Sequence, residues 1–123
     1  MSRQRRHGSN GDYSDWHYAQ HDDLTAIDID WVEYCRYCRR PLALVETAHD
    51  VGQDKSADVL RRIGEMASIP VWIALSRDVN GSQRFRVRRV FPESGAGWRD
   101  LSSVEWYQVL AQYRTCHPIS DES

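Results

Sequence analysis

A chain of 123 residues with 41% hydrophobic and 28% charged side chains has the size and balance of one globular domain. No apolar run nears the ~20 residues that span a bilayer, and the opening residues lack an apolar signal segment. A membrane protein or a disulfide-framed secreted module is therefore not expected. A formal net charge of -2 excludes a uniformly basic nucleic-acid binder.

The charge is unevenly spread. Residues 1–11 (MSRQRRHGSNG) are polar, basic and without apolar periodicity, which predicts a disordered basic tail. From Asp12 to Glu33 there are seven acidic residues and no lysine or arginine, and across the chain fifteen arginines stand against one lysine, Lys55. A single domain is expected over residues 12–117, followed by a tail at 118–123. Residues 14–22 are read as a short helix, on which His17 and His21 would share a surface face.

Leu24 to Tyr34 alternates as a strand, with Ile27, Ile29 and Trp31 on one side and Ala26, Asp28, Asp30 and Val32 on the other. Turn chemistry over Arg36 to Pro41 and an apolar run from Leu42 to Thr47 complete a β-hairpin with Cys35 and Cys38 near its tip. After a loop from His49 to Asp54, Asp54 or Ser56 is placed to cap a helix whose inner face would be Val59, Leu60, Ile63, Met66 and Ala67. Gly64 should weaken that helix by about 1 kcal/mol relative to alanine. Val71 to Leu75 reads as a strand buried on both faces, and Asp78 to Ser82 holds an Asn-Gly turn signal. Arg84 to Phe91 alternates as a strand, and Pro92 to Trp98 reads as a loop. Ser102 and Glu105 form a capping box for a last helix that presents Trp106, Leu110 and Tyr113. All five tryptophans are expected to serve the core. The order of elements predicts a mixed α/β (α+β) fold, with a hairpin, a helix and further strands making one mixed sheet flanked by helices.

The chemistry centres on carboxylates. Asp28 and Asp30 share a strand face, and Glu46 ends the apolar run of the neighbouring strand, roughly 4.8 Å away across a hairpin. Three such groups can share a hard cation such as Mg²⁺ or Mn²⁺, or can simply line a solvated face. An ion held there would polarise a phosphoryl oxygen and activate a water.

The runs AIDIDWVEYC and PLALVETAHD, a helix beginning near Lys55, and IPVWIAL together resemble the core of the PD-(D/E)XK nuclease superfamily, in its small phage and bacterial members. The likeness spans about residues 24–76. It implies a restriction-endonuclease-like fold, Mg²⁺-dependent hydrolysis of DNA phosphodiesters in the cytoplasm of a bacterium or phage-infected host, and, as for many members of that superfamily, a homodimer. Asp28 or Asp30 would be the metal-binding aspartate and Glu46 the metal-binding glutamate. The family's lysine position, two residues beyond the glutamate, is occupied by Ala48. Lys55, nine residues after Glu46, is the candidate to reach back into the site as its catalytic cation.

Two further groups are marked. Cys35-Arg36-Tyr37-Cys38 has the spacing of half a Zn²⁺ site, to which Cys116 with His117, or His49, could add ligands; free thiols or a redox pair are the alternatives. Arg84, Arg86 and Arg88 share a strand face, where they would either track a nucleic-acid backbone or charge an edge strand against aggregation. The rival to a nuclease is a non-catalytic adaptor, either a zinc knuckle or a nuclease-derived module that binds nucleic acid or protein.

Overall fold

Strand β3 (Val71–Val79) is apolar on both faces through its first five residues, and the rest of the fold is layered around it. The computed structural model describes residues 29–116 and, ahead of them, Asp15, Trp16 and Ala19. Asp15, Trp16 and Ala19 have helical backbone. The predicted basic tail, Asp28, His17, His21, His117 and the C-terminal tail lie outside the described residues.

With β3, strands β1 (Trp31–Tyr34), β2 (Pro41–His49), β4 (Ser82–Phe91) and β5 (Arg99–Ser102) make one sheet in the order β1-β2-β3-β4-β5. Strands β2 and β3 are parallel, and helix α1 (Asp58–Ala67) makes the crossover that parallel pairing requires. The other three pairings are antiparallel. Helix α2 (Ser103–Ala111) follows β5 directly. The result is a mixed α+β fold, as the sequence predicts at that level.

Alternation divides the core in two. Val71, Ile73 and Leu75 of β3 join Leu44, Val90 and Leu60 beneath α1. Trp72 and Ala74 join Val45, Val87, Leu101 and Trp106 beneath α2. On the α2 side the Trp72 and Trp106 rings meet edge-on at 5.4 Å, and the Trp72 indole donates to the Tyr113 hydroxyl at 3.1 Å.

Local chemistry explains the joins. Asn80 and Gly81 have φ of 53° and 84°, the left-handed pair that a two-residue hairpin between β3 and β4 needs. Ser102 and Glu105 form the expected capping box, with bonds of 3.1 Å and 2.8 Å.

Several expectations are corrected. Helix α1 starts at Asp58 after Ala57, with no side-chain cap from Asp54 or Ser56. The preceding residues are held to the sheet instead, because Arg86 and Arg88 donate to the carbonyls of Gln53 and Lys55. The inner face of α1 is Leu60, Ile63 and Gly64, whereas Val59, Met66 and Ala67 are exposed. Gly64 is required at its position: a Cβ there would meet Val71 Cγ2 and stand 2.7 Å from the Ile69 carbonyl oxygen. Residues Arg99–Ser102, too short to show alternation, form a strand that covers β4, so the arginine strand is interior and not an edge. Trp16 and Trp31 are exposed rather than in the core.

Candidate functional site

Glu46 sits on β2 between core residues Val45 and Ala48, and its side chain points to the α1 face together with Leu44 and Ala48. In register it lies beside Ile73, and Ile73 beside Arg88, so one row crosses the sheet from Glu46 to Arg88. The Arg88 guanidinium donates to the Lys55 carbonyl at 2.9 Å, fixing that backbone over the row. The Lys55 side chain then reaches back, with Nζ 3.4 Å from Glu46 Oε2, both side chains being half-buried. The chain's single lysine is thus brought to the glutamate that the sequence singled out.

Asp30 precedes β1, at the open end of the hairpin. Its Oδ2 accepts from the Thr47 amide at 3.0 Å and from the Thr47 hydroxyl at 3.2 Å. Asp30 therefore lies against the peptide joining Glu46 to Thr47. Its bonds run to Thr47, whose side chain is on the sheet face opposite that of Glu46. Asp30 and Glu46 flank that peptide. Asp28, the remaining member of the expected set, lies outside the described residues.

Arg84, Arg86 and Arg88 do share one face, yet each guanidinium is engaged within the chain. Arg86 grips Asp50 through Nε and Nη2 at 3.2 Å and 3.0 Å and donates to the Gln53 carbonyl at 2.7 Å. Arg77 joins Asp50 at 3.2 Å and Asp100 at 2.8 Å, and Arg84 reaches Asp100 at 3.5 Å. The Trp98 ring lies beneath both Arg86 and Arg88, at 4.5 Å and 5.2 Å. Hydrogen bonds from Arg86 above all, then from the Gly52 amide, hold the Asp50 carboxyl down at about 2. Asp100 is also lowered, first by its hydrogen bond to Arg77. This network escaped the sequence reading because Asp50, Arg77, Trp98 and Asp100 come from separate elements and share no spacing.

The cysteines converge. The β1–β2 loop is closed by the Cys35 amide on the Arg40 carbonyl (2.9 Å) and the Arg39 amide on the Cys35 carbonyl (2.8 Å), with Arg39 at φ 65°. That turn places Cys35 and Cys38 side by side. After α2 the chain unwinds through two short turns and brings Cys116 to within 3.2 Å of Cys38, sulfur to sulfur. The ligand atoms of all three lie within 4.8 Å of one another, the only such group of three among the described residues, and it can hold a metal ion. None is in a disulfide. Backbone hydrogen bonding from Cys38, and after it from Tyr37, draws the buried Cys35 thiol down to about 6 against the opposing effect of burial. Cys116 is pushed up to about 11, first by its hydrogen bond to Cys38 and then by burial. His49, a candidate further ligand, stands at the opposite end of β2, about 26 Å along the strand from the hairpin tip. It cannot join this group.

No protein-family model, curated protein or solved structure matches the chain. No helix among the described residues is long and apolar enough to cross a membrane.

Proposed function

We propose that the chain is a metal-dependent phosphodiesterase of the PD-(D/E)XK type, acting on DNA. In this reading Glu46 and Asp30 are the acidic ligands among the described residues, and Asp28 is a third candidate. Lys55 supplies the cation missing at Ala48. The observation that carries the reading is the 3.4 Å approach of Lys55 Nζ to Glu46 Oε2. A crossover of β2, α1 and β3 supports it, because it puts both groups on one face.

The donor chemistry fits Mg²⁺, which takes carboxylate oxygens, keeps several waters and is commonly held by one or two carboxylates with substrate phosphate. When bound, the ion polarises a phosphoryl oxygen and lowers the pKa of a water. Glu46 holds its charge on a rigid, buried strand. The Lys55 ammonium, with three donors, orients a water and offsets negative charge growing on phosphorus. Arg88 is a positioning residue that fixes the Lys55 backbone.

The cysteine group is read as a structural Zn²⁺ centre, apart from the reaction, because thiolate sulfur suits Zn²⁺ and not Mg²⁺.

The test is Mg²⁺ and Mn²⁺ titration by calorimetry together with plasmid nicking. Wild type should bind the ion and nick DNA only in its presence, and Glu46→Ala should lose both. Lys55→Ala should keep ion binding and lose nicking by at least about a hundredfold. Wild type and Glu46→Ala equally inert would end the catalytic reading. Engagement of the three arginines by Asp50, Asp100 and backbone carbonyls favours a second reading, a non-catalytic adaptor built on this fold. Its mark would be full zinc occupancy with no metal-dependent nicking.

A further inference from the structure

Five residues beyond the end of α2, the chain returns to the β1–β2 loop and is held there twice. The Arg114 guanidinium lies 5.1 Å above the Tyr37 ring, and the Cys116 sulfur lies 3.2 Å from that of Cys38. Tyr37 and Cys38 are adjacent in the turn that presents Cys35 beneath them. Two contacts of different chemistry therefore dock one segment on one loop. Three sulfurs within 4.8 Å of one another nearly match a metal's demand, since thiolates at ~2.3 Å on tetrahedral Zn²⁺ stand roughly 3.8 Å apart.

We propose that a Zn²⁺ ion held by Cys35, Cys38 and Cys116 clamps the segment after α2 onto the β1–β2 loop, so that one ion secures both the edge strand and the second helix. The clamp rests on the zinc reading of the cysteine group and adds its mechanical role. It does not depend on phosphodiester chemistry.

Strand β1 has four residues and, among the described residues, pairs with β2 alone, and α2 has nine. Cys38 and Cys116 are 78 residues apart, so joining them closes a long loop and strongly restricts the unfolded chain. Zinc takes thiolates, so binding releases the thiol protons to solvent, and the three sulfurs leave one tetrahedral position for a water or a further side chain.

The experiment uses the full chain, purified under reducing conditions. Elemental analysis should give about one zinc per chain. Cys116→Ser, a change at an exposed residue, should lose the zinc and lower Tm by at least about 8 °C. A strong chelator should bring wild type to the same Tm. Cys38→Ser with Cys116→Ser should fall no further than either change alone, because one ion is lost in each case. On chelation, amide hydrogen exchange should rise in β1 and α2 and stay slow in β3. Should the variants fail to fold, titrating metal-free wild type with Co²⁺ should produce thiolate-to-cobalt absorption and raise Tm together. Absence of zinc, with a Tm indifferent to chelator and no cobalt absorption, would overturn both the zinc reading and the clamp. Zinc present in wild type, with Cys116→Ser unchanged in zinc or in Tm, would overturn the clamp alone.

Discussion

Asp50→Asn is the perturbation that best tests how the arginine face is held together. Asp50 follows β2 directly with its side chain only 5% exposed, and it accepts from Arg86, Arg77 and the Gly52 amide. A carboxyl held at about 2 against an ordinary 3.8 corresponds to roughly 2 kcal/mol of native-state stability. The sign follows from the lowered value. The stability is fully present above about pH 4, declines as pH falls through the window from 3.8 to about 2, and is gone below it. Asparagine keeps the shape but turns an amide toward guanidinium donors and leaves Arg86 partly buried without its counter-charge. The loss at pH 7 should therefore be about 3 kcal/mol, the low end for breaking a buried pair, because Arg86 is still 21% exposed. Urea unfolding followed by circular dichroism at pH 7, 5, 4 and 3 reads it. The gap between wild type and variant should be constant from pH 7 to 5 and narrow toward pH 3. A loss under about 1 kcal/mol at pH 7, or a gap that does not narrow in acid, would refute this account of the network.

Two further substitutions probe the joins of the fold. Gly64→Ala should lower stability by about 2 kcal/mol, because crowding against Val71 and the Ile69 carbonyl outweighs the ~1 kcal/mol helix-propensity gain. Thermal melts of this variant beside Met66→Ala, an exposed position on the same helix, separate crowding from propensity. Ser102→Ala should cost about 1 kcal/mol through the capping box, read by the same melts, and Glu105→Ala in the same background should lower stability further, because Glu105 Oε1 accepts from the Ser102 backbone amide, which the first change leaves in place.

Much of the architecture was legible because its signals are local. The Asn80-Gly81 turn, the Ser102–Glu105 capping box and the apolar run from Val71 to Leu75 each carry their own conformational demand within a few residues. Strand β5 was not legible, since four residues reading RDLS have no period and become a strand only because β4 offers a partner. The inner face of α1 was misjudged for a similar reason: Met66 fits the helical period, but the close approach of β3 selects Gly64. At the candidate site Lys55 and Glu46 were read as a pair, and they meet. Asp30, the other expected acidic ligand among the described residues, meets the same stretch of β2 through the Thr47 amide and hydroxyl.

The order of residues was enough to establish a mixed α+β domain, the positions of most of its elements and the residue types able to carry chemistry. Folding decided which of those residues meet. Arg84, Arg86 and Arg88 look like a free basic stripe in one dimension, but the crossover and strand register bring Asp50, Asp100 and two loop carbonyls to them. Cys116 gains its partners in the same way, across 78 residues. Backbone preference is set by near neighbours, whereas charge pairing and metal-ligand geometry depend on distances that exist only once the sheet has closed.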